Sequence, residues 1–344
     1  SSPTPSRFGY SVSLAEDKGD LLVIGAPDWN RVDLYELINS SWTRVFSNIG
    51  DDIPNIIPYD QTSNVTVNSK VTTPSPDIRS NVSSLQYGFS VDISAFGERI
   101  IIGGPGFVYD TINTTNSDIS VKSGGTITSI NNFSGIFGNT IRQSGCARIF
   151  GTDLDTGGWL YSNSQIGSTI SGHDSSELGS TVVNQASTYE AGGLDWGLPN
   201  LGQCVSINTD GDIISISEPC FSYVYLAWAT RVGRVTVYEY NNSTTNKWIS
   251  RSNYIFGGRK DGLYGGKQKL DYTGNRLAIT ARRHYQSDNN DELHVLDWSG
   301  KQWIETSTII PGLNKSWNGG YAMAMTSGSR VAVSQIYWPS TSTD

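Results

Sequence analysis

An all-β fold, a β-propeller of four-stranded antiparallel blades, is predicted by three observations: helix signals are nearly absent, short alternating apolar segments are punctuated by glycine turns, and one unit recurs along the chain. Ala, Leu, Glu and Lys are sparse, and no stretch keeps apolar residues at i, i+3, i+4 and i+7 over three turns. Val12 and Leu14, Leu21 to Ile24, and Val32 and Leu34 instead form short runs bounded by Gly, Asp, Asn and Pro, which is how half-buried strands read. The tetrapeptides at 17–20, 209–212, 272–275 and 326–329 each place a glycine where a tight hairpin needs positive φ.

The recurring unit accounts for the elements in order. The first runs Phe8-Gly9-Tyr10-Ser11-Val12-Ser13-Leu14, then Leu22-Val23-Ile24-Gly25-Ala26-Pro27, Val32 to Glu36, and Trp42 to Val45, implying four strands. The second repeats it as Tyr87 to Val91, Ile100 to Pro105, Cys146 to Phe150, and Trp159 to Tyr161. A third reads Leu201 to Val205, Ile213 to Pro219, Val235 to Tyr238, and Trp248-Ile249; a fourth reads Tyr264 to Gly266, Arg276 to Ile279, Leu293 to Leu296, and Trp303-Ile304. A fifth starts at Gly319-Gly320-Tyr321 and stops after Val331 to Val333. From Gly9 to Gly25, Gly88 to Gly103, Gly202 to Ser217, Gly265 to Thr280 and Gly320 to Ser334 the spacing is 16, 15, 15, 15 and 14 residues. A four-stranded sheet cannot bury both faces alone, so units of near-constant spacing predict radial packing of neighbours. The expected organisation is one propeller domain over 1–344, with blades at 8–50, 87–167, 201–257, 264–312 and, in part, 319–338. Long insertions fall at 51–86, 106–145 and 168–200.

The FGYSV segment followed by Gly-Ala-Pro, a third strand ending in an aromatic, and a Trp-initiated fourth strand resemble the FG-GAP repeat of integrin-α-type propellers and related surface proteins. The likeness is good in the first two units, partial in the third and weak in the last two. The resemblance implies seven blades, whereas four full units and part of a fifth are legible. Degenerate strands within 56–85 and 168–200, a polypeptide continuing past Asp344, or a neighbouring chain would each complete the ring.

In such a blade the turns joining strands one to two and three to four lie on one rim, and these are short: Glu16 to Asp20, Phe96 to Glu98, Thr209 to Asp212, Tyr272 to Gly274, Asp297 to Lys301. The other connections include Gly50 to Gln86, Gly106 to Gly145, Gly167 to Asn200, Phe221 to Arg231 and Arg282 to Asp291, so all insertion is expected on the opposite rim. Loops beyond about 12–15 residues are usually functional or disordered, which places partner contacts there. Their aromatics, Tyr109, Trp196, Tyr223, Tyr225, Trp228, Tyr285, Trp317, Tyr337 and Trp338, are the candidate anchors; the competing reading is that they pack the loops onto the propeller.

Chemistry is harder to find. The metal-bearing version of the repeat resembles D-x-D/N-x-D-G-x-x-D between strands one and two, but Asn208-Thr209-Asp210-Gly211-Asp212 lacks a closing carboxylate and the other turns are shorter, so calcium is disfavoured and no cofactor is expected. The histidines, His173, His284 and His294, stand in no HExxH, and neither GxSxG, Cys-x-x-Cys nor a P-loop occurs. No enzymatic activity is expected; the alternatives are a glycan-acting hydrolase on the same scaffold and a calcium-dependent adhesion propeller. Three cysteines allow one disulfide; Cys204 with Cys220 is the preferred pair, Cys146 with either the alternative, and three buried thiols the competing reading. Eight Asn-x-Ser/Thr sequons, at Asn39, Asn64, Asn81, Asn113, Asn132, Asn241, Asn242 and Asn314, all fall in predicted loops.

Composition bounds the partners. With 24 basic and 32 acidic side chains the net charge is -8, the wrong sign for a phosphate backbone, so no nucleic acid is expected. No run of about 18 apolar residues supports membrane insertion by a helix, and Ser1 to Thr4 carry no signal-peptide pattern, as expected of a mature or trimmed chain. Ser, Thr and Asn supply 100 positions, a polar-neutral composition that, with the resemblance, points to an extracellular or cell-surface glycoprotein. Its expected role is binding extracellular proteins or glycans, or assembling with itself through the open edge of the truncated fifth unit.

Overall fold

The register of the repeat is a hydrogen-bond pattern. In a computed structural model of the chain, the amides of Gly9, Gly88, Gly202 and Gly265 donate to the carbonyls of Gly25, Gly103, Ser217 and Thr280 at 3.1, 3.0, 3.0 and 2.9 Å. The spacing seen in the sequence is thus the length of chain that leaves one glycine turn, runs out along strand one and returns along strand two. The structure describes residues 7–17, 19–47, 49, 65–67, 70–72, 86–105, 119–121, 127–130, 145–151, 166, 170–171, 201–219, 232–241, 247–252, 254–258, 262–281, 292–309, 317–326 and 330–337.

The protein is a β-propeller of four-stranded antiparallel blades. Unit one is β1 (Ser11–Leu14), β2 (Leu21–Ala26), β3 (Arg31–Ile38) and β4 (Ser41–Phe46), in that order across the sheet. A hairpin, β5 (Val65–Val67) with β6 (Lys70–Thr72), lies between units one and two. Unit two is β7 (Ser90–Ile93), β8 (Arg99–Gly104), β11 (Cys146–Gly151) and β12 (Ile170–Ser171), with the hairpin β9 (Ile119–Val121) and β10 (Ile127–Ile130) inserted between β8 and β11. Unit three is β13 (Val205–Ile207), β14 (Ile213–Glu218), β15 (Arg234–Asn241) and β16 (Lys247–Ser250), with β17 (Ile255–Phe256) also pairing β15. Unit four is β18 (Gln268–Leu270), β19 (Arg276–Ala281), β20 (Glu292–Trp298) and β21 (Trp303–Ile309). Unit five is a two-stranded sheet of β22 (Trp317–Met325) and β23 (Val331–Tyr337).

Side chains alternate across each sheet, so units two, three and four bury residues against both neighbours. Val23, Val32 and Leu34 of unit one pack on Val91, Ile93, Ile100 and Ile102 of unit two. Ile101, Ala147 and Ile149 of unit two meet Val205, Ile207, Ile214 and Ile216 of unit three, and Ile213, Val235 and Val237 of unit three meet Leu270, Leu277 and Ile279 of unit four. Ala278 and Leu293 of unit four meet Met325 of unit five. The innermost strands touch in chain order, β1 on β7, β7 on β13, β13 on β18 and β18 on β22.

The Phe-Gly and Gly-Ala/Gly-Pro segments form the clasp between units. Ser11 Oγ donates to the Gly88 carbonyl at 2.8 Å, and Ser90 Oγ donates to the Gly202 carbonyl at 2.7 Å. A Cβ at Gly25 or Gly103 would run into those same carbonyls, which is why the second strand ends in glycine there.

On the outside of unit two, β12 pairs Cys146 and Ala147; Trp159 to Tyr161, where the sequence places the fourth strand, lie outside the described residues.

Candidate functional site

Around the axis, one column of the repeat converges. Four residues beyond the repeat glycines stand Ser13, Asp92, Ser206, Lys269 and Ala324, on β1, β7, β13, β18 and β22. Asp92 is 4% exposed and accepts from three other units. Its Oδ1 takes Ser13 Oγ at 2.7 Å; its Oδ2 takes Ser206 Oγ at 3.1 Å, the Ile207 amide at 2.9 Å and Lys269 Nζ at 2.6 Å. Ser206 Oγ in turn accepts the Leu270 amide at 3.2 Å. The carboxylate is met by one cation and three neutral donors, and its lone pairs are committed to joining units.

The strand one to two turns close this end of the axis. Asp17 N donates to the Ala95 carbonyl, Ala95 N to Thr209 and Thr209 N to Tyr272, at 3.1, 3.2 and 3.0 Å, a backbone chain through four units. Inside three of these turns a side-chain oxygen accepts the amide five residues on: Ser94 from Arg99 at 3.0 Å, Asn208 from Ile213 at 2.9 Å, Asp271 from Arg276 at 3.0 Å. Asn208 Nδ2 also donates to Asp212 Oδ1 at 2.8 Å. Asn208 Oδ1 and Asp212 Oδ1 of the nearest calcium-like fragment are therefore engaged within its own turn. Among the described residues, no group of three or more His, Cys, Asp or Glu stands placed to hold a metal ion.

The five units enclose an axial pocket lined by Ser13, Glu16, Asp92, Asn208, Lys269 and Met325 among others, with a cavity volume of about 40 Å³. That is room for a few waters or a small ion and far below the ~300 Å³ at which ligand sites begin. The cavity itself is too small to enclose a sugar or peptide. A second titratable cluster stands in unit four, where His294 Nδ1 lies 2.9 Å from Glu305 Oε1 and its Nε2 3.4 Å from Glu292 Oε2.

The candidate anchors Tyr109, Trp196, Tyr223, Tyr225, Trp228, Tyr285 and Trp338 lie outside the described residues; Trp317 opens β22 and Tyr337 ends β23. Of the sequons, Asn39 is exposed in the β3–β4 turn at φ 50°, and Asn241 is the last residue of β15, a strand end rather than a loop. Asn64, Asn81, Asn113, Asn132, Asn242 and Asn314 lie outside the described residues. Cys146 and Cys204 are free and buried, which corrects the expected bridge from Cys204 to Cys220; Cys220 lies outside the described residues. The reason is packing between units three and four: Cys204 Sγ donates to the Gln268 carbonyl and accepts the Gln268 amide, both at 3.4 Å. Burial pushes the Cys146 thiol up to about 12 and raises that of Cys204.

Sequence reasoning missed the hub because it read each strand for alternation, in which Asp92 is one polar position among several. Aligning the units by their glycines would have put one Asp and one Lys in a single column of small residues.

No protein-family model matches the sequence, and no curated protein matches it. Solved structures similar to the chain include a candidate 6-phosphogluconolactonase of Bacteroides fragilis at 8% identity and TM-score 0.44, covering 92% of this chain and 60% of that one. A periplasmic gluconolactonase of Pseudomonas aeruginosa matches at 11% identity and TM-score 0.44, over 94% and 64%. The Dos1 propeller matches at 13% identity and TM-score 0.40, over 94% and 54%. The chain spans less than two thirds of each of these three structures. Two of the three carry lactonase names, and on that finding the expectation of no enzymatic activity is corrected: a propeller without the motifs sought in the sequence gives no ground for excluding chemistry.

Proposed function

We propose that this protein is an extracellular or surface-displayed propeller of the FG-GAP type that binds another protein or a glycan through the rim carrying its longest excursions, without calcium. One observation carries the reading. β5, from the connection between units one and two, packs against β10, from the connection inside unit two. Two excursions leaving from different strand ends thus meet in one platform, as expected where a rigid scaffold displays a composite surface. The exposed Asn39 turn suits a glycan acceptor, and the net charge of -8 disfavours nucleic acid.

The test replaces 106–144 with a short Gly-Ser linker and measures binding on glycan and extracellular-protein arrays. Binding by the intact chain should fall at least about tenfold while Tm holds, because contacts concentrate in few residues. Undiminished binding after the deletion, or turnover of gluconolactone by an intact chain that binds nothing on either array, would overturn the reading. Chelation should leave Tm unchanged; a fall would return calcium to the propeller.

A further inference from the structure

The strand one to two turns carry more than closing the axis requires. Glu16, Ala95, Thr209 and Tyr272, one from each of units one to four, line the axial cavity together with Asp92, Lys269 and Asp271. Glu16 is exposed and Tyr272 is 47% exposed, so the cavity reaches solvent beside them. The residues that follow in the first three turns, Asp17, Phe96 and Asp210, are exposed around that mouth, Phe96 at 42%. Where unit two has Phe96 the other units have Asp17, Asp210 and Thr273, and where unit four has Tyr272 they have Glu16, Ala95 and Thr209. The fold therefore requires an aromatic at neither position.

The exposed charge at this end is negative. Among the described residues, the carboxylates of Glu16, Asp17, Glu98 and Asp210 meet neither a hydrogen-bond donor nor a cation. The guanidinium groups nearby are already engaged: Arg99 Nη1 donates to the Gly211 carbonyl and Arg251 Nη1 to the Gly274 carbonyl, both at 2.8 Å, and Arg276 forks onto Asp297. Lys18 lies outside the described residues. In the cavity lining, Glu16, Asp92 and Asp271 stand against Lys269, leaving a charge of -2. Among the described residues these acids are not grouped to hold one metal ion, so the charge is spread as a surface that meets several cationic groups. An exposed ring beside unpaired carboxylates matches lysine, whose stem lies on apolar surface while its ammonium is attracted by ring face and carboxylate alike.

We propose that the short-turn end of the axis docks an extended, lysine-bearing segment of a partner protein. One ammonium enters the axial cavity, whose volume of about 40 Å³ takes a group of that size, and is met there by Glu16 and Asp271. The lysine stems lie on Tyr272 and Phe96, and Asp17 and Asp210 meet the flanking ammonium groups. Phe96 belongs to unit two and Tyr272 to unit four, so an occupant that touches both crosses the turn of unit three, which calls for a chain and not a single ion. The contact uses the rim opposite the long excursions and is independent of the reading proposed above.

The test is fluorescence anisotropy of the full chain with a labelled peptide of alternating Lys and Ser at low salt. The intact chain should bind it, and Tyr272→Ala and Asp210→Asn, both at exposed side chains, should each weaken binding at least about tenfold. Acetylating the peptide lysines should weaken it as much, since that removes the charge. Tyr272→Phe keeps the ring and should bind as the intact chain does. Glu305→Gln removes a half-exposed carboxylate on the outer strand β21 and should change nothing. Deleting 106–144 should leave peptide binding unchanged, which separates failure here from failure of the loop reading. No binding by the intact chain, undiminished binding by Tyr272→Ala or of the acetylated peptide, or a loss in Glu305→Gln equal to that in Asp210→Asn would each overturn the proposal. So would displacement of the peptide by calcium with a rise in Tm that Glu16→Gln abolishes, because the mouth would then be an ion site.

Discussion

Two buried groups at the residue scale show how much the inter-unit packing demands of single side chains. Glu218 and Arg234, each 2% exposed, face one another on β14 and β15 through two bonds of 2.5 and 2.7 Å, and the guanidinium also lies 4.6 Å over the Tyr254 ring. Removing one partner strands the other charge, so Arg234→Met should cost about 3–5 kcal/mol in chemical denaturation, while the pair Glu218→Met with Arg234→Met should cost less than either single change. Cys146 gives a pH signature. Its folded thiol is held at about 12 by burial against an ordinary value of 9.0, so the proton is bound more tightly folded than unfolded. A raised folded value means full stability below pH 9 and loss as pH rises from 9 toward 12. Denaturation midpoints of the intact protein should therefore fall more steeply over that window than those of Cys146→Ala; parallel slopes would show that the thiol is not protected as its burial requires.

At the scale of elements, the clasp predicts a hierarchy among glycines. Gly103→Ala would drive a methyl group into the Gly202 carbonyl, backbone against backbone, and should cost about 3 kcal/mol or more, with both first and second strands held in register and little room to relax. Gly9→Ala meets no neighbour and bears only its φ of 83°, so about 1–2 kcal/mol is expected. Equal losses in urea midpoints would deny the interlock. The glycine spacing was legible in the sequence because a fixed hydrogen-bond closure imposes it, and the first and second strands of four units were found for that reason. Outer strands were less legible. β12 has a ladder of two residue pairs in a Ser-rich stretch and carries no alternation to read. Cys204 was read as half of a bridge because the sequence shows neighbours along the chain and not the Gln268 amide that faces it across units.

The scale of the whole molecule turns on Asp92, where four of the five units share one carboxylate. Pairwise interfaces alone would let a chain of blades open one at a time, as in a solenoid whose stability is a sum over neighbours. A residue that accepts from Ser13, Ser206, Ile207 and Lys269 ties non-adjacent units, since Lys269 lies two units on from Asp92 and Ser13 one unit back. Lys269→Met leaves a carboxylate of 5% side-chain exposure without its cation, and should lower stability by about 3–5 kcal/mol. Asp92→Asn with Lys269→Met removes both charges while keeping the amide oxygen as acceptor for Ser206 and Ile207, so it should recover part of that loss. The more telling readout is cooperativity: the intact chain should unfold with coincident fluorescence and circular-dichroism transitions, and Lys269→Met should separate them as units four and five loosen before units one and two. If the two probes stay superimposed in Lys269→Met and the double variant is no more stable than the single, the axis is filled by this carboxylate without being held by it, and the coupling between units resides in the glycine clasp instead.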